Sequence, residues 1–316
     1  MTEEIIIVGA GMAGLSCAAA LAESGRPVRL LEKSRAPGGR AATRRRGGPA
    51  FDHGAPCAHG GGAAFADAAA GWQAAGCAAP WPQGGPGCIT GIPGMRDLVA
   101  PLARGLAIET GVRVTGLSRA GGGWRVATEG GAVRRTAAVV LALPAPQAAA
   151  LLPVGWSVAG LAAVEMAPCW SVMLAVERPL AAPDLVEGNG APLALAIRDS
   201  AKPGRARRPE TWVLHAGADW TRCRIDAPPD RVAAQMTRAF ADRLGAPLPG
   251  SLTLTAHRWR FARVARPLGR PCHWDAAAGL GLAGDWCEGP GLPAAWESGR
   301  ALAARILAEA GPERRA

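Results

Sequence analysis

The chain has 316 residues, a formal charge of +10, eight cysteines, eleven tryptophans and no tyrosine. That length can bury the core of one large domain or two interlocked ones; the cysteines form no CxxC pair and no His/Cys cluster falls at zinc-ligand spacing, which excludes a disulfide framework and predicts no metal site. The first strand begins within a few residues of Met1 and long apolar runs contain proline, so neither a signal peptide nor a membrane span is expected, and the expected location is cytoplasmic.

The first forty residues read as strand, glycine turn, helix, strand and acid. Ile5 to Val8 run into Gly9-Ala10-Gly11-Met12-Ala13-Gly14, followed by Ala and Leu at helical spacing to Leu21 and then by Val28 to Glu32. Gly9 allows the tight turn, Gly11 lets backbone approach a pyrophosphate, and Gly14 lets the helix pack closely on the strand. The helix points its free N–H groups and positive dipole end at the phosphates, which places Met12 and Ala13 in the binding turn. Glu32 ends the second strand where a carboxylate accepts hydrogen bonds from a ribose diol, with Lys33 beside it. A second match, Gly279 to Gly284, is followed by Asp285-Trp286 and not by a helix, so it does not qualify as a dinucleotide turn.

After Glu32, Gly38-Gly39-Arg40 combines permissive backbone with a guanidinium that can meet a phosphate. A short helix is predicted near Ala63 to Ala75 within a Gly-, Ala- and Pro-rich excursion over about 54–94, and a helix from Met95 to Gly105. Strands are predicted at Val112 to Leu117, Trp124 to Thr128 and Ala137 to Leu143, all completing the nucleotide-binding sheet. From about 155 to 260 strands at Trp170 to Val176, Leu193 to Ile197, Thr211 to His215 and Leu252 to Phe261, with an amphipathic helix from Arg231 to Leu244, predict an α+β unit. Gly279 to Asp285 reads as a strand, and Pro293 to Ala310 as a helix with proline in its first turn.

The fold class is therefore α/β: a Rossmann-type dinucleotide-binding domain with an interleaved α+β substrate domain. The predicted division is 1–55, 95–152 and 262–316 for the first, and 56–94 and 153–261 for the second, with substrate between them. Arg44-Arg45-Arg46 and Arg205, Arg207 and Arg208 are the tight basic clusters, read either as solvated loops or as an electrostatic funnel for an anionic small molecule. The arginines show no recognition helix or stacking motif, so no nucleic-acid partner is expected.

Several motifs stand in the order found in flavoproteins of the amine oxidase fold, and the chain resembles the renalase-like branch over nearly its whole length. The pieces are Gly9 to Gly14, Glu32, Gly38-Gly39-Arg40, Phe51-Asp52-His53-Gly54-Ala55, Val139 to Pro144, Trp259-Arg260-Phe261-Ala262 and Gly281-Leu282-Ala283-Gly284-Asp285-Trp286. The resemblance implies FAD, a glutathione reductase/amine oxidase-like binding domain, backbone contact from Val114 to the adenine, and contact from Gly284 and Asp285 to the ribityl or pyrophosphate region. Gly39, Arg40, Gly54 and Ala55 fall in the matching motifs. The chain departs from the family at Pro56-Cys57, where relatives carry Gln and an aromatic residue. It departs again at Leu292-Pro293-Ala294-Ala295, where Pro293 has no N–H to offer the flavin O2 edge and Ala294 or Ala295 would donate instead.

One dinucleotide unit implies that electrons come from a small-molecule substrate, with hydride passing to flavin N5 and oxygen reoxidising the flavin to give hydrogen peroxide. Such a step needs orientation and desolvation, with no catalytic base, and no catalytic triad is visible. The pocket-wall candidates are Trp170, His257, Trp259 and Trp286. For the renalase-like branch the implied substrates are dihydro isomers of NAD(P). An amine oxidase ranks second, since a tyrosine pair above the flavin cannot exist in this chain. A non-catalytic scaffold, as in the GDP dissociation inhibitors, is a reading of a different class, and a flavin monooxygenase using external NADPH is a third option. Cys57 and His59 are read as a small buried thiol and a surface imidazole.

Overall fold

The computed structural model describes residues 4–45, 48–189 and 191–309, so Arg46 and Ala310 lie outside the described residues. Its first sheet has six strands in the order His273–Asp275, Leu280–Leu282, Val139–Leu141, Ile5–Val8, Val28–Glu32 and Ala107–Thr110. All neighbours are parallel except the edge pair His273–Asp275 and Leu280–Leu282. Because side chains alternate along a strand, Ile5–Val8 serves two cores at once. Ile5 and Ile7 face the Met12–Glu23 helix and the C-terminal Leu292–Glu309 helix, while Ile6 and Val8 face the opposite side.

That opposite side is covered by a separate three-stranded antiparallel sheet, Val114–Ala120, Gly123–Thr128 and Val133–Thr136. The strands expected at Val112 to Leu117 and Trp124 to Thr128 thus exist, but they do not extend the nucleotide-binding sheet. They lie across it, because Leu117, Trp124 and Val126 form one apolar face that is buried against Ile6, Val139, Leu141 and Leu282. Of the three expected strands only Val139–Leu141 joins the parallel sheet.

A five-stranded antiparallel sheet makes up the other layer, in the order Leu185–Glu187, Leu193–Arg198, Glu210–Ala216, Glu165–Val176 and Ser251–Arg266. The helix predicted near Arg231 to Leu244 spans Pro229–Leu244 and buries Val232, Ala233, Met236 and Phe240 against one face of this sheet. The helix predicted from Met95 to Gly105 is broken into a 3-10 turn at Met95–Leu98 and a single α turn at Ala100–Ala103. Pro101, which offers no N–H, and Gly105 at φ +75° limit its length. No helix among the described residues is long and apolar enough to cross a membrane.

Candidate active site

The Met12–Glu23 helix starts at the carboxyl end of a central parallel strand, where open α/β sheets bind ligands. No side chain caps it and no acidic residue stands in its first turn, so its leading N–H groups remain available to an anion. Gly9 has φ +102°, and a Cβ there would lie 2.5 Å from the Ala142 carbonyl oxygen. A Cβ on Gly14 would lie 2.0 Å from the Gly9 carbonyl oxygen. Gly11 differs, since its nearest neighbour would be Gly39 Cα at 3.9 Å. Packing within the protein forbids side chains at Gly9 and Gly14 but not at Gly11, so the bare backbone at Gly11 keeps open a cradle for something else.

Gly39 belongs to the loop that faces this turn: Gly38 N–H donates to the Ala10 carbonyl at 2.8 Å. Glu32 is buried, and its two carboxylate oxygens accept from Ala10 N–H at 2.9 Å and Ser34 N–H at 2.8 Å. Each oxygen keeps a second lone pair. Lys33 is exposed beside it and Val114 is buried at the start of its strand. Leu282 is followed by Ala283-Gly284-Asp285, and Asp285 meets Arg40 in a two-pronged ion pair at 2.8 and 2.6 Å. Such forked pairs fix orientation as well as charge. Arg40 also positions the next segment, because its carbonyl accepts Ala55 N–H at 2.9 Å and a Cβ on Gly54 would lie 2.1 Å from that same oxygen.

At the amino end of the C-terminal helix, Ala295 N–H donates to the Gly291 carbonyl at 3.2 Å. With Pro293 lacking a donor, the pair Ala294 or Ala295 narrows to Ala294 as the first-turn amide outside the helix ladder.

His257 and Trp259 come together, joined by His53 of the Phe51 to Ala55 motif, which is not among the expected pocket-wall residues. Ring centroids are 4.9 Å apart for His53 and His257, 4.6 Å for His257 and Trp259, and 5.2 Å for His53 and Trp259. Trp259 Nε1 donates to the His53 carbonyl at 2.8 Å, and Trp259 lies 3.4 Å from the Cβ position of Gly54. Register explains the placement: His215, Ser171 and His257 are direct partners across three adjacent strands, so they share one face of the five-stranded sheet. Trp170 sits one residue from Ser171 and points to the other face, where it is buried against the Pro229–Leu244 helix side and donates to the Arg224 carbonyl. Trp286 is fully buried in the core under the three-stranded sheet and donates to the Leu143 carbonyl. Neither tryptophan belongs to the wall that His257 and Trp259 form.

The wall is electropositive and its imidazoles are neutral. Burial first, then the charges of His257 and Arg44, push His53 down to about 3. Burial, Arg44 and Arg258 push His257 down to about 4, and Arg44 Nη2 lies 3.3 Å from His257 Nδ1. Beneath it lies a buried ionic cluster absent from the sequence reading. Asp52 accepts from Met95 N–H at 2.9 Å and Thr43 Oγ1 at 2.7 Å, and pairs with Lys202 at 3.2 Å and with Arg205. Lys202 also meets Asp199 at 2.7 Å. Burial alone would raise the Asp52 carboxyl, but Lys202 and Arg205 hold it below the usual carboxylate range, whereas burial and the charge of Asp52 raise Asp199.

Cysteine and histidine also cluster once the chain folds, contrary to the expectation from spacing. The possible ligand atoms of Cys57, His59 and Cys88 all lie within 4.8 Å of one another. Hydrogen bonding from Cys88, and then from His59 and the charge of Lys202, carries the Cys57 thiol down to about 7 against the effect of burial.

Two family descriptions match the chain: a NAD(P)-binding Rossmann-like domain over residues 7–69 and flavin-containing amine oxidoreductase over residues 74–307. Among solved structures, a protein of Exiguobacterium sp. 255-15, provisionally named a protoporphyrinogen oxidase, aligns over 98% of this chain and 99% of its own, with TM-score 0.74 and 14% identity. A triple variant of putrescine oxidase redesigned in its cofactor binding aligns over 97% and 99%, with TM-score 0.71 and 13% identity. At these identities the likeness is one of fold.

Proposed function

The chain belongs to the flavin-containing amine oxidoreductases, and from that premise we propose that it is a renalase-like oxidase acting on dihydro isomers of NAD(P). It is an FAD-dependent oxidoreductase, and its residues fit that cofactor: an uncapped helix start, an open cradle at Gly11 and a buried acid at the end of the second strand. In this reading Gly9, Gly11, Met12, Ala13, Gly14 and Gly39 hold the pyrophosphate, Glu32 and Lys33 the ribose side, and Val114 the adenine. Arg40, Gly54, Ala55, Gly284 and Asp285 hold the stretch toward the ring, and Ala294 donates at its edge. Residues 1–55, 95–152 and 262–316 form the FAD-binding part, and 56–94 with 153–261 the substrate part. Bound FAD supplies a hydride acceptor at N5 that passes its electrons to oxygen, giving hydrogen peroxide.

The protein's own contribution is to orient the donor carbon and keep water from it. Buried His53 with half-buried His257 and Trp259 forms an aromatic wall suited to a flat ring. The choice of substrate rests on the sign of the charge at that wall. Arg44 touches His257, both imidazoles are held neutral, and Asp52, next to His53 in the chain, is already paired with Lys202 and Arg205. A protonated amine would meet a positive field there, whereas a phosphate-bearing dinucleotide is attracted. An amine as donor is the second reading, supported by the family's description and by the likeness to putrescine oxidase.

Anaerobic visible spectroscopy of the FAD-loaded protein tests the choice. Rapid bleaching by 2- or 6-dihydro NAD(P), with no change on adding putrescine or benzylamine, is the expected result. Bleaching by an amine alone would transfer the assignment to the second reading.

A further inference from the structure

We propose that Cys57, His59 and Cys88 form a zinc-binding site that fastens the loop after Ala55 to the Ala78–Gly91 hairpin. The three ligand atoms lie within 4.8 Å of one another. Their meeting follows from backbone pairing. Ala58 and Ile89 form an isolated antiparallel bridge, Ala58 N–H donating to the Ile89 carbonyl at 2.9 Å and Ile89 N–H to the Ala58 carbonyl at 2.8 Å. In that register His59 stands opposite Cys88, and Cys57, two residues from His59, shares its face. A Cβ on Gly84 would lie 2.4 Å from Cys88 Sγ, so the hairpin leaves a place for this sulfur where any other residue at 84 would strike it.

Two thiolates and one imidazole are soft and borderline ligands that select zinc over magnesium or calcium. Zinc takes sulfur at about 2.3 Å and nitrogen at about 2.0–2.1 Å, which in a tetrahedron puts the donor atoms about 3.5–3.8 Å apart. The observed spread closes to that by about 1 Å of side-chain movement, and His59 is exposed. Cys57 and Cys88 release their thiol protons to solvent on binding, and three protein ligands leave a fourth position for water. The loop being fastened touches both halves of the flavin site, since Ala55 bonds the Arg40 carbonyl and the Cβ position of Gly61 lies 2.8 Å from Pro293 Cβ. The site stands on its own ligands whatever the substrate proves to be.

Titration of the reduced, FAD-loaded protein with Co2+ under anaerobic conditions reads the site directly, because tetrahedral cobalt–thiolate bands fall on the red side of oxidised flavin. One Co2+ per chain, displaced by Zn2+, is expected, with the bands abolished in Cys57→Ser. The exposed His59→Ala, which leaves the core untouched, should weaken binding by more than the about 10–100-fold that loss of an outer-shell partner costs. Cys77→Ser and Cys223→Ser should bind as the parent does. Absence of the bands in the parent, bands that persist in both Cys57→Ser and His59→Ala, or a Cys57–Cys88 disulfide forming in the presence of equimolar Zn2+ would overturn the proposal.

Discussion

Gly9, Gly11 and Gly14 lie within one turn and answer to different constraints. Gly9 and Gly14 are required by the fold, since added carbons would meet backbone oxygens at 2.5 and 2.0 Å. Gly11 is not, since an added carbon would have ordinary room at 3.9 Å and the backbone there is extended at φ −80°. Gly11→Ala should therefore keep the apo-protein's melting temperature but lower its affinity for FAD, while Gly14→Ala should lose stability with or without FAD. Thermal melts of apo-protein and flavin-fluorescence titrations separate the two effects. A Gly11→Ala protein that binds FAD as tightly as the parent would move the pyrophosphate elsewhere. This motif was legible in sequence because its strand, turn, helix and acid are contiguous in the chain: Glu32 reaches Ala10 across one strand–helix–strand unit. The place of His53 in the wall was not, because the Phe51 to Ala55 motif does not show that its ring meets His257 from a distant strand.

Between elements, a buried ionic contact joins the Thr43–Arg45 and Ala50–Asp52 hairpin to the turn after Leu193–Arg198. Asp52 N–H donates to Asp199 Oδ2 at 2.9 Å, and Lys202, fully buried, bridges the two carboxylates. Removing one member of a buried pair leaves an uncompensated charge and costs about 3–5 kcal/mol. Lys202→Met should therefore lose about that much in urea unfolding, and Lys202→Met combined with Asp199→Asn should recover part of it. A loss under about 1 kcal/mol would mean that Arg205 alone neutralises Asp52. Sequence could not reveal this cluster, because its partners are separated by 147 and 150 residues and neither the Phe51 to Ala55 motif nor the basic run at Arg205 shows that they pair. The Cys57, His59 and Cys88 group escaped for the same reason, brought together by a single bridge. Strands themselves were legible from β-branched and apolar runs, but their grouping was not: alternation alone does not tell a strand that extends a sheet from one that lies across it. Nor did it show which face Trp170 takes, a matter of one residue in register.

For the molecule as a whole, the layer between the two sheets stores a pH dependence. His53 and His257 line it, and His215 shares the face of His257 across Ser171. Burial first, then Lys202 and Arg263, push His215 down to about 4, alongside about 3 for His53 and about 4 for His257. An unfolded chain takes up these protons near pH 6.5, while the folded chain refuses them until much lower pH. Their contribution is therefore complete above about pH 6.5 and is lost as pH falls from there toward about 4. Asp199, raised by burial and by Asp52, works in the opposite direction, but it is one group against three. Asp52, held low, adds its own loss only below the ordinary aspartate value of 3.8. Urea midpoints of FAD-saturated protein should accordingly fall steadily from pH 7 to pH 4.5, and His53→Asn should shallow the slope. A midpoint constant over that range would mean that the histidines accept protons in the folded state as readily as in the unfolded chain, and that burial does not hold them neutral.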